Sequence, residues 1–186
     1  MQQTNSIANP APLGLMGFGM TTVLLNLHNA GLFPVVSMIM GMGIFFGGLA
    51  QLIAGIMEFR NGNTFGATAF TAYGCFWLTL VATWVLPPMG LAEPTSHGFM
   101  GWYLFLWGLF TFGMYIGTRR KGAKMLRVVF GTLTALFFLL ALRDWTGSSF
   151  IGVIAGIEGI ICGLSAMYLS IAEVLHAHTG KPVLPY

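Results

Sequence analysis

The sequence predicts an all-α integral membrane protein with six transmembrane helices. Three observations carry that expectation. First, of 186 residues 56% are hydrophobic and 7% charged, with a mean hydropathy of +0.80, so a water-facing surface could not be covered with charge. Second, the apolar runs are of membrane-crossing length; a hydrocarbon core of roughly 30 Å needs about 20 apolar residues per helix, which leaves no room for a soluble domain. Third, the basic residues are segregated along the chain in a way that an even number of crossings explains.

Reading apolar runs between charges and Pro or Gly breaks gives helices at about 13–31, 36–59, 66–86, 99–118, 124–143 and 149–176. They form one transmembrane domain over 13–176, flanked by segments 1–12 and 177–186. The first residues, MQQTNSIANPAP, lack the basic n-region of a signal peptide, so the first span is expected to be retained. The second span ends at Arg60-Asn61-Gly62-Asn63, the third at Pro87-Pro88, and the fifth at Arg143-Asp144-Trp145. Six spans put Arg60, Arg119, Arg120, Lys121, Lys124, Arg127 and Lys181 on one side and only Arg143 on the other. By the positive-inside rule both termini are cytoplasmic.

The net charge of +3 does not indicate nucleic acid, because five of the eight basic residues fall between Arg119 and Arg127, beside an apolar span. Cys75 and Cys162 lie in separate apolar segments without a CxxC, as small packing residues. No dinucleotide fingerprint, phosphate loop, HExxH or nucleophile elbow occurs, so no enzyme chemistry, metal or cofactor is expected.

Glycine pairs at Gly43/Gly47, Gly113/Gly117, Gly152/Gly156 and Gly159/Gly163 predict close helix packing. Polar residues fall in helical register: Phe18, Thr22, Asn26 and Asn29 on the first span, Thr64, Thr68, Thr71, Cys75 and Thr79 on the third, Gln51 and Glu58 on the second, and Glu158, Cys162 and Ser165 on the last. Single Ser and Thr residues can bond back to their own helix; stripes on several helices at once favour a polar path through the bundle. Glu158, deep in the last span, is a candidate for a proton or gating role because an intramembrane carboxylate is costly. Glu58, beside Arg60, reads as an ion pair or helix-end residue with the same role as the alternative. His28, near the end of the first span, reads as a packed histidine or one at a path mouth.

Three blocks, NPAPLGL at Asn9 to Leu15, GGLAQLIAGIMEFRNGNTFGATAFTAYGCFWL at Gly47 to Leu78 and AGIEGIICGLSAMYLSIAEVL at Ala155 to Leu175, resemble the acetate uptake transporter family, which includes bacterial succinate–acetate permeases and fungal ammonia/acetate export proteins. The resemblance implies a central pore in each six-helix subunit, a homo-hexamer in the bacterial inner membrane surrounded by lipid, and passage of acetate and less readily succinate. It also implies a midway apolar constriction matched here by Phe18, Tyr73 and Leu133, and a small pore-lining position matched by Ala166. A substrate path past Asn9, Leu13, Gly14, Leu15, Thr22, Asn26, Gln51, Thr68 and Thr71 follows, with the Pro-broken stretch offering the Leu13 to Leu15 amides to an anion. The alternatives are a channel for a neutral solute such as ammonia, or a non-transporting sensor or scaffold.

Overall fold

The computed structural model describes residues 8–119 and 124–185; Arg120 and Lys121 of the basic cluster lie outside the described residues. Among the described residues there are six long helices: α1 Ala11–Asn29, α2 Ser37–Arg60, α3 Thr64–Val85, α4 His97–Thr118, α5 Lys124–Thr146 and α6 Ser149–Thr179. Five of them, α2 to α6, are long and apolar enough to cross a membrane. The 19-residue α1 falls short on hydropathy because two asparagines, a histidine and two threonines interrupt its apolar run.

Local chemistry sets the ends. Asn63, Ser96 and Ser148 each accept a hydrogen bond from a backbone amide in the first turn of α3, α4 and α6. Gly147, at φ +67°, turns α5 into α6 within two residues, a conformation that side-chain-bearing residues rarely adopt. Pro12 does not break the first span: α1 begins at Ala11, where a proline in the first turn forfeits no helical hydrogen bond.

The helices close a ring. Around it α1 packs on α2, α2 on α3, α4 on α5, α5 on α6 and α6 on α1. The remaining seam, α3 to α4, is filled by aromatic rings: Phe76 stacks on Tyr103, and Tyr73 meets Trp107 and Phe110 edge-on or tilted. Large side chains there hold two backbones farther apart than glycine does elsewhere. At the α1–α6 seam glycine dominates. A Cβ on Gly163 would stand 2.7 Å from the Gly19 carbonyl oxygen, and one on Gly156 would be 2.7 Å from Ala30 Cα. Gly113, by contrast, faces nothing within 4 Å among the described residues, while a Cβ on Gly117 would meet the Phe65 ring of α3 at 3.3 Å, so only one member of that pair packs.

Within α2, residues Gly43–Ala50 wind as a π-helix, a form concentrated at functional sites. Thr21 spans this turn, donating its hydroxyl to Gly17 O at 2.7 Å and to Met42 O at 3.4 Å.

Candidate functional site

Alternate helices α1, α3 and α5 carry the side chains nearest the bundle axis, and the space they enclose comes in three parts. At the end that holds the start of α1, the α2–α3 turn and the end of α6 lies a cavity of about 240 Å³ lined by Asn9, Leu15, Gln51, Glu58, Asn63, Phe70 and Glu173, among others. At the opposite end a cavity of about 280 Å³ is lined by His28, Asn29, His97, Arg143 and Asp144 with apolar neighbours. Between them a void of about 30 Å³ contains Thr22 and Asn26. That is room for one or two water-sized groups.

Two rings of side chains separate the three spaces. Phe18, Tyr73 and Leu133 line both the first cavity and the central void. Leu25, Phe76 and Leu140 line both the void and the far cavity. In the first ring the Phe18 and Tyr73 rings lie 6.2 Å apart, and all three side chains are buried. Leu133 comes from α5 and lines the same two spaces.

The Tyr73 hydroxyl does not point along the path. It lies 2.9 Å from Thr111 Oγ1, which donates its own proton to Trp107 O at 2.7 Å, so Tyr73 is the donor. The ring therefore presents an aromatic face to the axis while its polar tip is tied to α4. Thr111 was invisible to periodicity because it is an isolated hydroxyl among aromatics. Tyr73→Phe is expected to keep solute flux within about twofold of wild type and to lower stability by about 1 kcal/mol. Thermal melting and flux on the same purified protein would check it, and a large loss of flux would show that the hydroxyl meets the solute.

The α1 stripe lies on the inward face: Phe18, Thr22 and Asn26 are all buried. Asn26 donates to Thr22 O at 2.8 Å and accepts from Asn29 at 3.0 Å. The Thr22 hydroxyl is covered and has no hydrogen-bond partner among the described residues, and Thr22 lines the central void. Gln51 donates to Gly47 O at 2.7 Å and lines the first cavity with Glu58.

Other expected positions lie elsewhere. The α3 threonines turn outward: Thr68, Cys75 and Thr79 are exposed on the outer surface, and Thr79 returns its proton to Cys75 O at 2.8 Å. A polar stripe whose hydroxyls close on their own helix needs no interior. Thr71 packs on Gly55 of α2 and does not line the cavity. The inward face of α3 is instead Gly66, Ala69, Phe70, Tyr73 and Phe76. Leu13 is 40% exposed, and Gly14 is covered by the Phe70 ring. The amides of Leu13 and Gly14 are already bonded to Pro10 O, and that of Ala11 to Asn9 Oδ1, so the stretch does not offer them to an anion. Ala166 is fully buried in the core and lines none of the three spaces.

Among the ionisable groups, Glu58 is not paired with Arg60; its Oε2 accepts from Asn63 Nδ2 at 3.0 Å. Asn9 donates to Glu173 Oε2 at 3.1 Å, so two carboxylate–amide pairs, with Gln51, frame the first cavity. His28 Nδ1 lies 2.8 Å from Phe33 O and lines the far cavity. Glu158 lines none of the three spaces, and both its carboxylate oxygens are covered without a hydrogen-bond partner among the described residues.

The family model for the GPR1/FUN34/yaaH family matches residues 1–185. This chain belongs to that family. It is 56% identical over 179 residues to the succinate-acetate/proton symporter SatP of Escherichia coli K12, covering 96% of this chain and 95% of that one. A solved structure of the bacterial acetate channel SatP superposes with a TM-score of 0.95 at 55% identity, covering 97% of this chain and 99% of that chain. The ammonia transport outward protein 2 of Saccharomyces cerevisiae is 37% identical over 178 residues, covering 91% of this chain and 62% of the longer fungal protein. Members of the GPR1/FUN34/yaaH family named in this way are transporters or channels, and this one is not an enzyme.

Proposed function

We propose that this chain conducts acetate and other small carboxylates, succinate less readily, across the bacterial inner membrane through a pore within each subunit. The observation that carries the reading is the succession of cavity, apolar ring, small void lined by Thr22 and Asn26 among apolar side chains, second apolar ring and cavity along one bundle axis. Small inorganic ions hold their water tightly and are rejected at a ring without donors. A methyl group is at home there. The carboxylate end needs hydrogen bonds as soon as it leaves water, and the Thr22 hydroxyl between the rings supports one. The names of the bacterial relatives, a succinate-acetate/proton symporter and an acetate channel, agree with this cargo.

Glu58 and Glu173, at the mouth of the first cavity, are the carboxylates we propose for proton exchange with solute, in place of Glu158. The basic cluster beside that end supports cytoplasmic termini. A homo-hexamer is proposed from the family resemblance. A neutral-solute reading has one observation in its favour, the ammonia transport named for the yeast relative.

Labelled acetate flux into proteoliposomes of purified protein separates these readings. The carboxylate reading expects saturable acetate flux suppressed by excess propionate and untouched by ammonium. Negligible acetate flux from well-folded protein would overturn it in favour of a neutral solute or a non-transporting role.

A further inference from the structure

The far mouth carries a feature that neither the rings nor the cargo explain. Arg143 is the only Lys or Arg among the described residues that line the three spaces. Its side chain is 34% exposed, lining both the far cavity and an adjoining recess of about 260 Å³ formed with Gly147, Ser148 and Ser149. The stem lies over α6 where a Cβ on Gly152 would be 3.2 Å from Arg143 Cδ, so glycine makes room for it.

The guanidinium is engaged on both sides. Nε and Nη2 each lie 3.1 Å from a single oxygen of Asp144, and Nη1 donates to Asn29 Oδ1 at 3.3 Å. Asn29 in turn donates to Asn26, which donates to the Thr22 carbonyl at the central void. A ladder of side-chain amides thus runs inward from the one fixed positive charge at the mouth. His97, itself almost fully exposed, places Nδ1 3.7 Å from the same Asp144 oxygen and offers that carboxylate a second partner. His28 completes the titratable groups at this cavity, its Nδ1 beside Phe33 O.

We propose that Arg143 is a carboxylate-capture site for the substrate, and that Asp144 is a built-in occupant of its fork which an incoming carboxylate displaces. This rests on the carboxylate transport proposed above. Arginine presents paired N–H donors matched to a carboxylate, whereas Asp144 receives two of them on one oxygen, leaving the pairing open to improvement by a free carboxylate. A carboxylate already resident on the fork lowers the apparent affinity of the site by the fraction of time that the fork is filled. The capture site explains why a single arginine sits at a mouth whose other polar lining is Asp144, His28, His97, Asn29, Thr83 and Thr95.

The test is concentration-dependent labelled acetate uptake in proteoliposomes of wild type, Arg143→Gln, Arg143→Lys and Asp144→Asn, each reconstituted from monodisperse protein. Arg143→Gln is expected to raise the half-saturating acetate concentration about tenfold, with maximal flux changed less than about twofold. Arg143→Lys should recover part of that loss, as a point charge without the fork. Asp144→Asn should lower the half-saturating concentration roughly threefold by emptying the fork. An unchanged half-saturation in Arg143→Gln, or a loss confined to maximal flux, overturns the capture role and makes the arginine a tie between α5 and α1. Should Arg143→Gln fail to fold, Asp144→Asn decides: a half-saturation that does not fall overturns the proposal. Absence of acetate flux in wild type would instead defeat the carboxylate reading itself.

Discussion

Leu133→Ala is expected to raise the ratio of propionate to acetate flux by roughly tenfold. The size follows from what a pocket gains or loses by one methylene, about 1–3 kcal/mol. Leu133 is the aliphatic member of the ring that divides the 240 Å³ cavity from the 30 Å³ void. Truncation would join those spaces at the narrow point while leaving Phe18 and Tyr73 in place. The side chain is 3% exposed, so its loss also costs about 2–5 kcal/mol of packing unless neighbours collapse into the gap. Selectivity and stability therefore have to be read together. Flux of labelled acetate and propionate, measured on protein whose melting is followed in parallel, does this, with Leu106→Ala on the outer surface as the control for loss of a leucine. A ratio that stays at the wild-type value in folded Leu133→Ala would remove the Phe18–Tyr73–Leu133 ring from the selectivity argument.

The two rings also show where sequence reading succeeds and where it stops. Helix count and approximate span came from apolar runs, because a bilayer fixes the length of apolar chain needed and short connections leave little to misassign. The inward stripe of α1 was legible for a similar reason: an amide such as Asn26 carries two donor protons, and its bond to Thr22 O uses only one, so it turns to the interior. Threonine has no such constraint. On α3 the same periodicity marked a real face, but Thr68 and Thr79 look outward, since a hydroxyl can close on the preceding turn. Period gives a face without giving its direction. Family resemblance supplied Phe18, Tyr73 and Leu133, which line the same two spaces. The second ring, Leu25, Phe76 and Leu140, had no signal, because leucine and phenylalanine in a span look alike whether they meet lipid, a neighbour or the axis. Arg143 had a signal, as the one Lys or Arg on its side of the predicted spans, which the positive-inside rule absorbed.

Glycine pairs divide in the same way, and Gly156→Ala carries a large expected structural effect. An added methyl would overlap the Ala30 backbone nitrogen and stand 2.7 Å from Ala30 Cα and Asn29 C. Side chains can rotate away from such an intrusion, but backbone cannot, so α1 and α6 would have to separate along their seam. Overpacking of a well-packed core costs about 1–3 kcal/mol where side chains yield, and the upper end or beyond is expected where they do not. Gly113→Ala, with nothing within 4 Å, is the matched control and should stay within about 1 kcal/mol of wild type, since alanine favours the helix. Thermal melting in detergent would separate them, and equal melting of the two variants would refute the close α1–α6 contact. The consequence reaches the path as well as the fold. Asn29 and Asn26 ride on α1 beside Gly156 and Gly159, and Phe18 lies farther along the same helix. Displacing α1 thus moves the amide ladder and one wall of the first ring together, so a surviving Gly156→Ala protein should lose selectivity among carboxylates as it loses stability.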